Sequence, residues 1–174
     1  MTDDIEKIRI YGDPVLRIPT EEITEFDGTV FRLADRLVES MYSNQNGIGL
    51  SAPQIGESLQ ILVIDRSFGE KFDDILTMVN PKILAAEGAI TLEEGCLSVP
   101  GIYEPVERPL KIHVSYQDLD GNEHEIESDD FLARVIQHEI DHLDGVLFVD
   151  RLSTVRRKLL SKKLRSLAQG ESIE

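Results

Sequence analysis

Two histidines four residues apart with a glutamate between them, His138, Glu139 and His142 in QHEIDHLDGVLF, are the residues best placed to do chemistry. On a helix this spacing turns both imidazoles to one face. Glu139 then stands about 100° further round, close enough to act on water held at that face without ligating a metal itself. HExxH is thus two ligands of a catalytic metal site, which needs a third protein ligand and an open position. Taken alone, the pattern fits a solvated, charged helix face as well.

The third ligand decides what the site is for. A metzincin protease reads HExxHxxGxxH; here Gly145 is in register, but Phe148 stands where the third histidine belongs. A gluzincin draws on a downstream glutamate, and after His142 only Glu171 and Glu174 remain, in the final four residues, where a firmly held ligand is not expected. Upstream lies Cys96, the single cysteine, in EGCLSVPG. A lone cysteine is usually a small core residue. A thiolate with two imidazoles equally completes a tetrahedral site with one vacancy. His113, in a strand pattern, and His124, beside a turn, read as structural or surface residues.

The elements that must position these groups follow from periodicity. Between Asp27 and Asn46, Val30, Leu33, Ala34, Leu37, Val38 and Met41 recur at helical spacing, with Asp27 as cap and Asn46-Gly47 as stop. A Gly/Pro-rich loop, GIGLSAPQIG, precedes LQILVID, a short β-branched run that reads as a buried strand. ILTMVNPKI, AITLE, LKIHVSY and EHEIES are further strands, the last two joined across Asp120-Gly121, a strong hairpin signal. The HExxH helix is expected from Ser128 or Asp129 to about Leu143, then VLFVD as a short strand. STVRRKLLSKKLRSLAQ closes the chain as an amphipathic helix. Strands clustered between helices favour α+β with antiparallel sheet.

Composition excludes some partners. The 174 residues predict one domain, 41% hydrophobic and 29% charged. A net charge of −15 argues against general nucleic-acid binding. The acidic start predicts no secretory signal, no window suits a membrane span, and a lone thiol suits a reducing cytoplasm. Charge is uneven, however. Residues 153–170 carry six basic side chains (Arg156, Arg157, Lys158, Lys162, Lys163, Arg165) and no acidic one.

GIGLSAPQ (Gly47–Gln54), EGCLS (Glu94–Ser98) and QHEIDHLDG (Gln137–Gly145) resemble, in order and spacing, the three signature motifs of the peptide deformylase family, and the resemblance covers essentially the whole chain. It implies antiparallel β-sheets around a central HExxH helix. It also implies a metal held by Cys96, His138 and His142, with Glu139 as acid/base. Gln54 and the backbone N–H of Leu97 would stabilise the oxyanion, and Gly49 would lie along the peptide groove. The implied metal is Fe²⁺, with Zn²⁺, Ni²⁺ or Co²⁺ as replacements. The implied substrate is the N-formylmethionyl nascent peptide. Methionine selectivity needs an apolar slot, for which Ile48, Leu92, Phe131 and Val135 are candidates, core packing being the competing account. The basic C-terminal helix is either a solvated face or a contact with the ribosome. Members commonly read GLAAPQ, whereas this chain has Ser51 in place of the first alanine. The competing classes are an HExxH metalloprotease and an inactive metal-stabilised relative.

Overall fold

The computed structural model describes residues 5–71 and 73–173. A five-stranded antiparallel sheet forms its centre, with strands β1 (Gly49–Ser51), β2 (Ile61–Asp65), β3 (Ile75–Glu87), β6 (Lys111–Gln117) and β7 (Glu123–Ser128) side by side in that order. A separate antiparallel ribbon pairs β4 (Ile90–Cys96) with β5 (Val99–Arg108). Three helices complete the fold: α1 (Gly28–Ser43), α2 (Phe131–Leu143) and α3 (Thr154–Ala168). This is the α+β architecture that the clustering of strands implies.

Alternation explains how the sheet holds a helix on each face. All five residues of β2 are buried. Its side chains point alternately to opposite faces: Ile61 and Val63 pack with Leu33, Leu37 and Met41 of α1, and Leu62 and Ile64 pack with Ile136, Ile140 and Leu143 of α2. α2 is thereby fixed against a rigid floor. A third apolar cluster joins Val99, Ile102 and Val106 of β5 to Leu160, Leu164 and Leu167 of α3.

Several boundaries differ from the sequence pattern. α2 starts at Phe131, not at Ser128 or Asp129, because Ser128 ends β7 and Asp130 is the cap, accepting from the Leu132 N–H at 3.0 Å. α1 ends at Ser43, before Asn46, whose φ of 64° leads into Gly47. VLFVD is not a strand. Phe148–Arg151 form a 3₁₀ turn, closed where Asp150 accepts from the Leu147 N–H at 2.9 Å, and Leu147, Phe148 and Val149 are buried within it. β5 escaped notice because two prolines and a glycine interrupt VPGIYEPVER. In a two-stranded ribbon each strand has a free edge, where proline is tolerated. β1 likewise lies inside the stretch expected to be loop.

Candidate metal centre

α2 and the end of β4 bring three donor atoms together. Cys96 is the last residue of β4, after an irregularity in the register between Glu94 and Cys96. Gly95 sits at that irregularity, and a Cβ there would lie 2.5 Å from the ring of the exposed Tyr103, which would have to move aside. Cys96 Sγ is 3.3 Å from His142 Nε2, and the ligand atoms of Cys96, His138 and His142 all lie within 4.8 Å of one another. His113 and His124 are elsewhere, paired with Glu125 and Asp118. Phe148 is no ligand; its ring stacks on His138 at 6.1 Å between centroids. Glu171 is exposed near the C-terminus, and Glu174 lies outside the described residues.

Glu94 sets the tautomer of His138. Its carboxylate accepts from His138 Nδ1 at 3.0 Å, which turns Nε2 toward the shared site. Burial opposes ionisation of Glu94, but hydrogen bonds from Arg108 and His138 outweigh it and hold the carboxyl well below the usual range. Arg134 also donates to Glu94, while Arg108 Nη1 donates to Asp141 at 2.8 Å and Arg151 Nε donates to Asp141 at 2.6 Å. Arg134, Glu94, Arg108, Asp141 and Arg151 thus form a continuous chain of ion pairs tying the ribbon and the 3₁₀ turn to α2. Sequence reading assigned none of these a role. The signal was a carboxylate two residues before Cys96, since ligating histidines usually donate their second N–H to such a group.

The donor set fits a divalent cation. Burial lowers the pKa of His138, but its contacts with Cys96 and Glu94 raise it well above the usual value. The centre therefore attracts positive charge. Burial and the nearby charge of His138 keep His142 neutral, the form in which imidazole ligates. Sulfur and two imidazole nitrogens suit zinc, iron, nickel or cobalt.

Glu139 is buried beside this cluster, and burial pushes its pKa up to about 7 against the opposing pull of His138 and of the Ser51 hydroxyl. A Cβ on Gly49 would meet Glu139 Oε1 at 2.7 Å, and one on Gly47 would meet the Met41 carbonyl oxygen at 2.4 Å. The space each glycine leaves is thus taken by the protein itself, a reason for glycine that the sequence did not reveal. Gln54 is buried with its Nε2 donating to Ser98 Oγ at 3.2 Å and lying 3.6 Å from Cys96 Sγ. Leu97 follows Cys96 in the turn between β4 and β5.

A cavity of about 450 Å³ opens over the cluster, and Ile48, Gly49, Gln54, Leu97, Phe131 and Val135 are in its wall. Leu92 is not; it stands 42% exposed on β4, opposite Val106.

Comparison with known proteins shows the family and the fold. A model of the polypeptide deformylase family matches residues 5–158. A peptide deformylase of Acidobacterium capsulatum is 47% identical over 166 residues, spanning 95% of this chain and 97% of the relative. One from Thermodesulfovibrio yellowstonii is 43% identical over 162 residues, spanning 93% and 98%. Among solved structures, a peptide deformylase from Legionella pneumophila has a TM-score of 0.86 at 40% identity, over 95% of this chain and 96% of that one. The enzyme from Thermus thermophilus has a TM-score of 0.86 at 41% identity, over 94% and 95%.

Proposed function

The chain belongs to the polypeptide deformylase family, and from that premise we propose how its residues share the reaction. It is a metal-dependent hydrolase that removes the N-terminal formyl group from the formylmethionine of newly synthesised proteins and releases formate. Cys96, His138 and His142 hold the metal, which in this reading is ferrous iron, with zinc, nickel or cobalt as replacements. When bound, it supplies Lewis acidity, making water nucleophilic near neutral pH and polarising the formyl carbonyl.

The chain's own residues do the rest. Burial raises the pKa of Glu139 to about 7 in the metal-free chain, and a bound divalent cation would draw it down toward the carboxylate that accepts a proton. Glu139 takes the proton of the attacking water as the oxygen adds to the formyl carbon, then returns it to the amine nitrogen as the C–N bond breaks. The Gln54 side-chain amide and the Leu97 N–H donate to the formyl oxygen as charge develops there; one such donor is typically worth about 10²–10³ in rate. Ile48, Phe131 and Val135 form the apolar wall for the methionine side chain. Gly49, on the edge strand β1, pairs with the extended peptide backbone. The site of action is the cytoplasm, at the ribosome, which α3 contacts through its basic face.

The observation that carries this reading is the meeting of Cys96, from a strand, with both histidines of α2 beside a buried Glu139. A protease of the HExxH classes takes its third ligand from downstream, and Phe148 occupies that position as packing. Formate release from an N-formylmethionyl tripeptide tests it, with protein purified without oxygen and assayed for metal. Glu139→Ala should retain metal and lose about 10²–10⁴ in kcat. Full turnover in that variant would overturn the assignment.

A further inference from the structure

A glutamine side chain ends in an amide whose oxygen and NH₂ have nearly the same shape, on a terminal torsion that is broad and roughly two-fold. Only one of its two orientations serves an oxyanion. The other presents a carbonyl oxygen to developing negative charge. Whatever sets the flip of Gln54 therefore sets whether it can act.

The environment of Gln54 is asymmetric. Its Oε1 accepts from the Ser51 N–H at 3.0 Å and from the Ser51 hydroxyl at 3.1 Å. Its Nε2 donates to Ser98 Oγ at 3.2 Å, and the same nitrogen faces Cys96 Sγ. Ser51 and Ser98 are fully buried and Gln54 is 2% exposed, so water does not compete for these bonds. The backbone N–H at position 51 is present whatever the residue. The hydroxyl is what serine adds over alanine here.

We infer that Ser51 is a positioning residue for this reaction: its hydroxyl anchors the Gln54 oxygen and so keeps the Gln54 NH₂ directed at the cavity above Cys96. The inference rests on the oxyanion role proposed for Gln54. Without the hydroxyl, Oε1 keeps a single donor in a closed site, and the flipped or displaced amide gains population. The catalytic step then slows while the peptide binds as before.

The test uses the full chain loaded with zinc. Ser51→Ala removes volume instead of adding it, so the fold should survive, and it should lower kcat about three- to tenfold with KM unchanged. Ser51→Thr, which keeps the hydroxyl, should stay near the parent. In a Gln54→Ala background, Ser51→Ala should have no further effect, whereas a merely structural role would cost the same in both. A second readout is independent of turnover. In protein carrying nitrogen-labelled glutamine, the Gln54 side-chain amide pair, identified by its loss in Gln54→Ala, should be sharp and slow to exchange. It should broaden in Ser51→Ala. Unchanged kcat and amide signals in Ser51→Ala would overturn the inference, as would equal losses in the two backgrounds. If Gln54→Ala alone keeps full turnover, the oxyanion reading itself falls and takes this one with it.

Discussion

Glu94 shows how one side chain can serve both stability and chemistry. It accepts from Arg108, Arg134 and His138, so removing it leaves Arg108 with Asp141 as its one carboxylate, leaves Arg134 with only the carbonyls of Ile90 and Val106, and frees the His138 ring to turn. Glu94→Ala should therefore cost about 3–5 kcal/mol in thermal or urea unfolding, the range for breaking a buried ion pair from one side. Glu94→Gln keeps the shape and should cost less, while lowering metal affinity about 10–100-fold in competition with a chelator. The pH dependence has a definite sign. The folded pKa lies below the ordinary 4.5, so the stabilisation is complete above that value and lost as pH falls beneath it. Metal-free parent protein should thus lose stability on acidification below about pH 4.5 more steeply than Glu94→Gln. Gly49 makes a different case. Any Cβ there would press on Glu139 Oε1, so Gly49→Ala should lower kcat by at least about tenfold while the thermal midpoint moves little; unchanged kcat would contradict this.

At the scale of elements, most of the candidate site was legible because its candidate ligands lie in short motifs with fixed local geometry. The four-residue spacing on α2 places His138 and His142 whatever surrounds them. What could not be read was contact between elements. Arg108 sits on β5, a strand disguised by Pro100 and Pro105, so its bridge from Glu94 to Asp141 had no visible endpoint. VLFVD misled for a related reason. An apolar run of strand length can be buried in a turn just as well, and here the Asp150 carboxylate closes that turn on the Leu147 N–H. The turn matters to the site because it carries Phe148, whose buried ring stacks on His138 while its neighbours pack under α3. Phe148→Ala should cost about 3–5 kcal/mol by leaving a cavity. It should also weaken metal retention, which a chelator-challenge assay would detect. Retention equal to the parent would show that Glu94 alone orients the ring.

At the scale of the whole molecule, the charge pattern decides how the ribosome proposal should be tested. Deleting α3 would confuse two effects, since Leu160, Leu164 and Leu167 are buried against β5 and the 3₁₀ turn. The outer face separates them. Arg156 and Arg157 are paired with Glu104 and Asp150, whereas Lys158, Lys162, Lys163 and Arg165 are exposed and make no ion pair among the described residues. Val155 and Leu159 stand exposed on the same helix, Leu159 at 78%, so α3 presents cations interleaved with apolar groups outward from an acidic body. Phosphate attraction that overcomes a net charge of −15 must be local, and it must weaken steeply with salt as counterions are released. Reversing Lys158, Lys162 and Lys163 to glutamate should therefore abolish co-sedimentation with ribosomes at low salt. It should leave turnover of a free formylated tripeptide unchanged, because none of the three lines the cavity. Leu159→Ser should weaken binding at all salt concentrations instead, having no charge to screen. Co-sedimentation that survives the triple reversal would assign the basic face of α3 to solubility alone.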